Sequence, residues 1–196
     1  MVEDWEMLQS ETLANYRIFT VRQDTRRSPR TGNVHNFFVL DAADWVNIIP
    51  ITPAGKVVFI RQFRHGTAAV TLEIPGGVVD ETDADPQTAA YREMLEETGY
   101  DARQIIHIGT VEPNPAFLNN RCHTYLALGA CWKQAPQFDG AEDISTEEID
   151  LTAVPSLITS GQITHALVVA AFYHLDQVRR QQPDLFNFAN GRLSPQ

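Results

Sequence analysis

The sequence predicts an α+β protein, a sandwich with helices outside its sheets, preceded by an antiparallel β unit. Three observations carry this. Runs of β-branched and aromatic residues fill the first third of the chain, a helical pattern appears clearly only after residue 85, and strand-like runs resume before a last apolar helix. The 196 residues are 43% hydrophobic and 20% charged, a balance that suits one packed core and excludes a disordered or fibrous chain. At this length a core forms without disulfides or a structural metal. Cys122 and Cys131 lie too far apart for a redox pair and lack the partners of a zinc site.

Residues 16–21 and 35–40 read as strands around the turn-rich stretch 24–32, giving an N-terminal β unit over 1–42. Residues 45–52 and 56–63 are expected to pair as a hairpin about Pro53, Ala54 and Gly55. Residues 71–74 form a short strand that ends at Pro75, Gly76 and Gly77, where the backbone can turn sharply and approach a ligand. Asp85 as N-cap, Pro86 in the first turn and Gly99 as terminator mark the clearest helix. Strands are expected at 105–111, 123–130 and 148–154, then a short helix at 155–160. Thr164 is placed to cap a longer helix that Pro183 stops. The main domain thus runs over 43–182, with a tail at 183–196.

The formal net charge of −10 excludes a partner such as a nucleic-acid polymer, whose affinity comes from Lys and Arg on phosphates. That charge is unevenly placed. Residues 73–101 hold nine acids and one base, residues 139–150 hold six acids and no base, and the remainder is mildly basic. The acidic first residues lack the apolar stretch of a signal peptide, and no apolar run approaches the ~18 residues of a membrane span. A cytoplasmic protein with no membrane partner is expected. His107, His123 and His165 are isolated in the sequence and are read as packed or exposed side chains rather than ligands.

The chemistry concentrates after the glycine pair. On a helix Glu93, Glu96 and Glu97 stand at i, i+3 and i+4, so three carboxylates share one face. Like charges at this spacing cost a few tenths of a kcal/mol per pair, and the helix C-terminus disfavours them further. A hard divalent cation relieves both penalties, because Mg2+ takes carboxylates, waters and substrate phosphates as ligands. The Gly76 and Gly77 turn brings a backbone carbonyl towards the same point. For Glu96 and Glu97 alone, a solvated acidic face is the ordinary explanation; the glycine turn, Arg92 and Gly99 in register are what set this segment apart.

From Gly77 through Arg92, Glu93, Glu96, Glu97 and Gly99 to Tyr100, the segment resembles the signature box of the Nudix hydrolases, Gly-x5-Glu-x7-Arg-Glu-apolar-x-Glu-Glu-x-Gly-apolar. The second half matches in full. In the first half the loop carries one extra residue and the first glutamate is missing, with Asp83 or Asp85 available to replace it as a brace for the arginine. Stretches 44–47, 60–64, 72–77 and 164–175 extend the resemblance to the branch of ADP-ribose pyrophosphatases and related nucleotide-sugar hydrolases. The resemblance implies a Nudix-type α/β/α sandwich with a mixed sheet, plus the N-terminal antiparallel β unit. It also implies a homodimer in which that unit helps to complete the partner's site.

By the same resemblance, Glu93 and Glu97 are the principal metal ligands, with Glu96 beside them and the Gly76 carbonyl as a backbone ligand for Mg2+, or Mn2+ in its place. Arg92 would orient the glutamates. Arg61 would contact phosphate, with Arg64 as a second contact and Glu73 in an outer ring. The general base is expected among Glu142 and Glu147, on the loop before the last strand, or Glu96. Phe117 and Arg121 would flank the pocket, and Trp45 would stack on a base. The implied reaction is Mg2+-dependent hydrolysis of a nucleoside diphosphate linked to another moiety, ADP-ribose first, giving NMP and a sugar phosphate. Two other readings are a degenerate nucleotide sensor, suggested by the missing glutamate, and a nucleoside triphosphate hydrolase.

Overall fold

The computed structural model describes residues 1–138, 140 and 143–186. The described residues form two compact units, one of residues 1–44 with 112–121, the other of residues 45–111 with those described from 122 to 186.

The first unit is a three-stranded antiparallel sheet of β1 (Glu6–Tyr16), β2 (Phe19–Arg27) and β3 (Val34–Asp41), in that order. This corrects the sequence expectation in two places. Residues 16–21 straddle the tight turn between β1 and β2, and residues 24–27 lie inside β2 rather than in a loop. The charges that resemble loop chemistry neutralise one another: Asp24 is fully buried, accepts from Ser10 Oγ at 2.7 Å and lies 3.3 and 3.4 Å from Arg22 and Arg26. Residues 112–121 join this unit through the Leu40–Leu118 bridge and through Asn119, whose Nδ2 donates to Asp41 at 2.6 Å.

The second unit is built on a mixed sheet ordered β12-β5-β4-β10-β9. Its strands are β4 (Trp45–Ile51), β5 (Lys56–Arg64), β9 (Gln104–Val111), β10 (Cys122–Leu128) and β12 (Ile144–Asp150), with β10 parallel to β4. Strand alternation sends Ile49, Ile51, Val57 and Phe59 to one face, against Val168, Ala171, Phe172 and Leu175 of α3 (Ala166–Gln181). The other face presents Val46, Ile48, Tyr125 and Ala127 to Ala89, Ala90 and Met94 of α1 (Pro86–Thr98). The result is helix, sheet and helix in layers, as the sequence predicts. Among the described residues no helix is long and apolar enough to cross a membrane.

The expected hairpin of β4 and β5 is real only at its turn, where Ile51 faces Val57. Beyond that pair the strands part. β6 (Ala69–Glu73) pairs with β5, and β7 (Gly76–Val78) pairs with β4. Gly76 and Gly77 are therefore strand residues rather than a turn; the bend lies at Ile74 and Pro75, and Ile48 N–H donates to the Pro75 carbonyl at 2.9 Å. This crossing from one strand to its neighbour delivers the glycine backbone to α1.

Helix α1 starts where the sequence places it: the Asp85 carboxylate accepts from Thr88 N–H at 2.8 Å and Pro86 fills the first turn. It ends at Gly99, whose φ of 73° is a left-handed conformation that suits glycine, with its N–H on the Leu95 carbonyl. Asp85→Ala is expected to lower the unfolding midpoint by roughly 2–4 °C through loss of this cap, with hydrolysis rates unchanged, as thermal unfolding and an activity assay will show. Tyr100–Asp101 (β8) and Cys131–Trp132 (β11) make a small separate ladder. Two boundaries need correction. β12 begins at Ile144 and not 148, because its register with β5 runs from Ile144 opposite Gln62. Helix α3, after the short α2 (Val154–Thr159), is entered from His165 with no side-chain cap, so Thr164 does not serve as one.

Candidate active site

Helix α1 and strand β7 meet through two contacts. Gly76 N–H donates to Glu97 Oε2 at 2.9 Å, which fixes a carboxylate only 3% exposed. A Cβ on Gly76 would collide with the Val46 carbonyl, which leaves room only for glycine, and one on Gly77 would push the Glu93 carboxylate aside. Glu93 is mostly buried, whereas the Glu96 side chain is 43% exposed. Glu97 and Glu93 thus face the glycine backbone of β7, and Glu96 stands beside them on the same helix.

Arg92 binds this group together. Its Nε and Nη2 fork onto Asp83 at 3.2 and 3.0 Å, its Nη1 reaches Glu93 at 2.9 Å and Glu96 at 3.1 Å, and Nη2 also donates to the Val78 carbonyl. Of the two aspartates, Asp83 is the one that pairs with Arg92, while Asp85 is committed to the helix cap. The hydrogen bonds from Arg92 hold the Asp83 carboxyl below its ordinary range, and the same partners push the Arg92 guanidinium up. Asp83 also braces its own loop, where its Oδ2 accepts from the Asp80 N–H at 2.9 Å.

Among the described residues no three Asp, Glu, His or Cys side chains are already gathered as a metal cluster; Arg92 Nη1 stands between Glu93 and Glu96 and supplies the positive charge there. The donor chemistry nevertheless fits a hard cation. All candidate donors are oxygens, and Glu97 is buried beside a backbone that already anchors it.

Beside this group lies a second one. Arg64 Nε and Nη2 fork onto Glu73 at 2.8 Å each, and Thr71 Oγ1 donates to the same carboxylate at 2.6 Å. Burial pushes the Glu73 carboxyl up, but the bonds from Arg64 and Thr71 outweigh it and leave it below its ordinary range. Thr71 escapes a sequence reading, although its place two residues before Glu73 puts both on one strand face.

Arg61 pairs through Nε with Glu147, both side chains being about two-fifths exposed. Glu147 sits in β12 opposite Phe59, not on a loop, because the strand starts earlier than its polar sequence suggests. Glu142 lies outside the described residues. Trp45 opens β4 between Cys122 and Val78 and is partly buried. Phe117 and Arg121 belong to the first unit, where Phe117 is 44% exposed and Arg121 N–H donates to Asp44 at 2.7 Å. A cavity of about 510 Å³, lined by Thr98, Tyr100, Trp132, Phe138, Thr146 and Glu147, adjoins the end of α1. Its aromatic residues are scattered in sequence and carry no local signal. His107 and His123, isolated in the sequence, are bridged by the Thr110 hydroxyl at 3.0 Å on each side.

The chain matches the NUDIX domain family over residues 43–172. It is 27% identical to an ADP-ribose pyrophosphatase of Mycobacterium tuberculosis, covering 85% of this chain and 81% of that protein. It is 28% identical to a GDP-mannose pyrophosphatase of Salmonella typhimurium, covering 86% and 96%. A crystal structure of an ADP compounds hydrolase superposes with a TM-score of 0.81 at 20% identity, covering 93% of this chain and 97% of that one, a likeness of fold. The family match spans the carboxylate helix, the glycine strand and both faces of the sheet, and the chain belongs to the Nudix family and is a Nudix hydrolase.

Proposed function

We propose that the protein hydrolyses the pyrophosphate bond of a nucleoside diphosphate linked to a sugar, with ADP-ribose the first substrate to test, releasing AMP and ribose 5-phosphate. The observation that carries this reading is the junction of Gly76 and Gly77 with Glu93, Glu96 and Glu97, braced by Arg92 on Asp83. Pyrophosphatases of ADP-ribose and GDP-mannose among the relatives support the nucleotide-sugar class.

Glu93, Glu97 and the Gly76 carbonyl would hold Mg2+, or Mn2+ in its place, with Glu96 beside them. When bound there, the cation supplies charge for the phosphoryl oxygens and acidity for an attacking water. Arg92 keeps the glutamates aligned by charge-assisted hydrogen bonds. Arg61, and the edge of Arg64 that Glu73 leaves open, bind phosphate oxygens and stabilise the charge that grows on them in the transition state. Glu96, Glu142 and Glu147 compete for the role of proton acceptor. Trp45, Phe117 and Arg121 are proposed for the nucleoside end. The first unit exposes Leu13, Tyr16, Ile18, Val34, Phe37 and Phe38, which supports a homodimer formed through that unit.

The bracing of Arg92 by Asp83 weighs against a degenerate sensor, whose support was the missing glutamate. Incubation with Mg2+ and, separately, ADP-ribose, GDP-mannose and ATP, with chromatography of the products, tests the proposal. AMP and ribose 5-phosphate from ADP-ribose is the expected result. Preferential cleavage of ATP would favour the triphosphate reading, and no cleavage of any of them overturns the proposal.

A further inference from the structure

Glu73 poses a physical question. Its side chain is 3% exposed, and the cost of desolvating a carboxylate there is outweighed by the bonds from Arg64 and Thr71. Buried ion pairs are often replaceable by apolar residues of similar volume without loss of stability, so stability alone does not call for a charged pair here. Geometry does. Glu73, Thr71, Arg64 and Gln62 share one face of the β5–β6 ladder, so the carboxylate meets the guanidinium edge-on and takes both Nε and Nη2. Thr71 Oγ1 fixes the carboxylate in turn. Arg64 keeps 42% of its side-chain surface exposed, and among the described residues nothing binds its Nη1. The clamp lies three residues before Gly76, and the charge of Glu97 is near enough to act on Arg64.

We propose that Glu73 is a positioning residue: with Thr71 it locks Arg64 so that the open edge of the guanidinium receives a phosphate of the anhydride substrate. An arginine without this clamp would lose rotamer freedom on binding, whereas the clamped one has lost it already. This rests on the function proposed above, with Arg64 as a phosphate contact.

A double-mutant cycle on the Mg2+-loaded protein tests it, comparing wild type, Glu73→Gln, Arg64→Ala and the double variant. The readouts are kcat, KM, the unfolding midpoint and the calorimetric affinity for inorganic pyrophosphate. Glu73→Gln is expected to raise KM about tenfold with kcat within about threefold, and the double variant to be no worse than Arg64→Ala. Multiplying effects in the double variant would overturn the proposal, because Glu73 would then act on the site by itself. So would a lowered midpoint with KM and pyrophosphate affinity intact. If wild type cleaves no anhydride, the function reading fails by that result alone, and the clamp is still judged by pyrophosphate affinity across the same four proteins. Should Glu73→Gln not fold, the apolar pair Glu73→Met with Arg64→Met is expected to fold and bind pyrophosphate as weakly as Arg64→Ala; full affinity in that pair overturns the proposal.

Discussion

Glu97→Gln is expected to lower kcat for anhydride hydrolysis about a thousandfold while the unfolding midpoint holds or rises. The glutamine keeps an acceptor for Gly76 N–H, so the tie between β7 and α1 survives. What it loses is the negative charge that a divalent cation needs at a buried position. A thousandfold corresponds to about 4 kcal/mol of transition-state stabilisation, within reach of a cation acting on a phosphoryl group. Without the cation, removing one of three like charges on a helix face relieves repulsion, which is why stability should not fall. Mg2+ should raise the midpoint of wild type and raise that of the variant much less, since a ligand stabilises only the state that binds it. AMP release and thermal unfolding with and without Mg2+ check both halves. A kcat within about threefold of wild type would remove Glu97 from the metal site.

How much of this could be read from the sequence follows from how local each signal is. The α1 helix was legible because Asp85, Pro86 and Gly99 act on their own neighbours, and Glu93, Glu96 and Glu97 share a face by spacing alone. The layered fold was legible for a similar reason: Val46, Ile48, Ile49 and Ile51 supply both faces of a central strand. Strand β1 was not, because its residues from Gln9 to Thr12 are polar and owe their extended form to pairing with β2. The Arg64 and Glu73 fork depends on the register of β5 with β6, which no window of sequence contains. Glu147 was misplaced for the converse reason, since a polar run with acids at each end reads as a loop until its pairing with β5 is known. Residues 112–121 were assigned by contacts more than 70 residues away along the chain.

Asp83→Ala is expected to lower kcat by about 10–100-fold, to raise the Mg2+ concentration needed for activity and to cost roughly 1–3 kcal/mol of stability. The Asp83 side chain is 4% exposed, and its loss removes both prongs of the fork on Arg92 together with the acceptor for Asp80 N–H. Arg92 would then be held chiefly by Glu93, Glu96 and the Val78 carbonyl, so its guanidinium would compete with a cation for the very carboxylates it now aligns. The pH dependence has a defined sign. Because Arg92 holds the folded Asp83 carboxyl below its ordinary range, its stabilising contribution is complete above that range and is lost as pH falls through the lowered value. The variant should therefore lose less stability on acidification than wild type. Asp85→Ala provides the contrast, because it removes a helix cap from the same loop without touching Arg92. Mg2+ titrations of activity and acid unfolding curves for the two variants separate bracing from simple loop stability. If Asp83→Ala keeps the wild-type kcat and Mg2+ requirement, the fork serves the loop alone, and Asp83 has no part in compensating for the missing box glutamate.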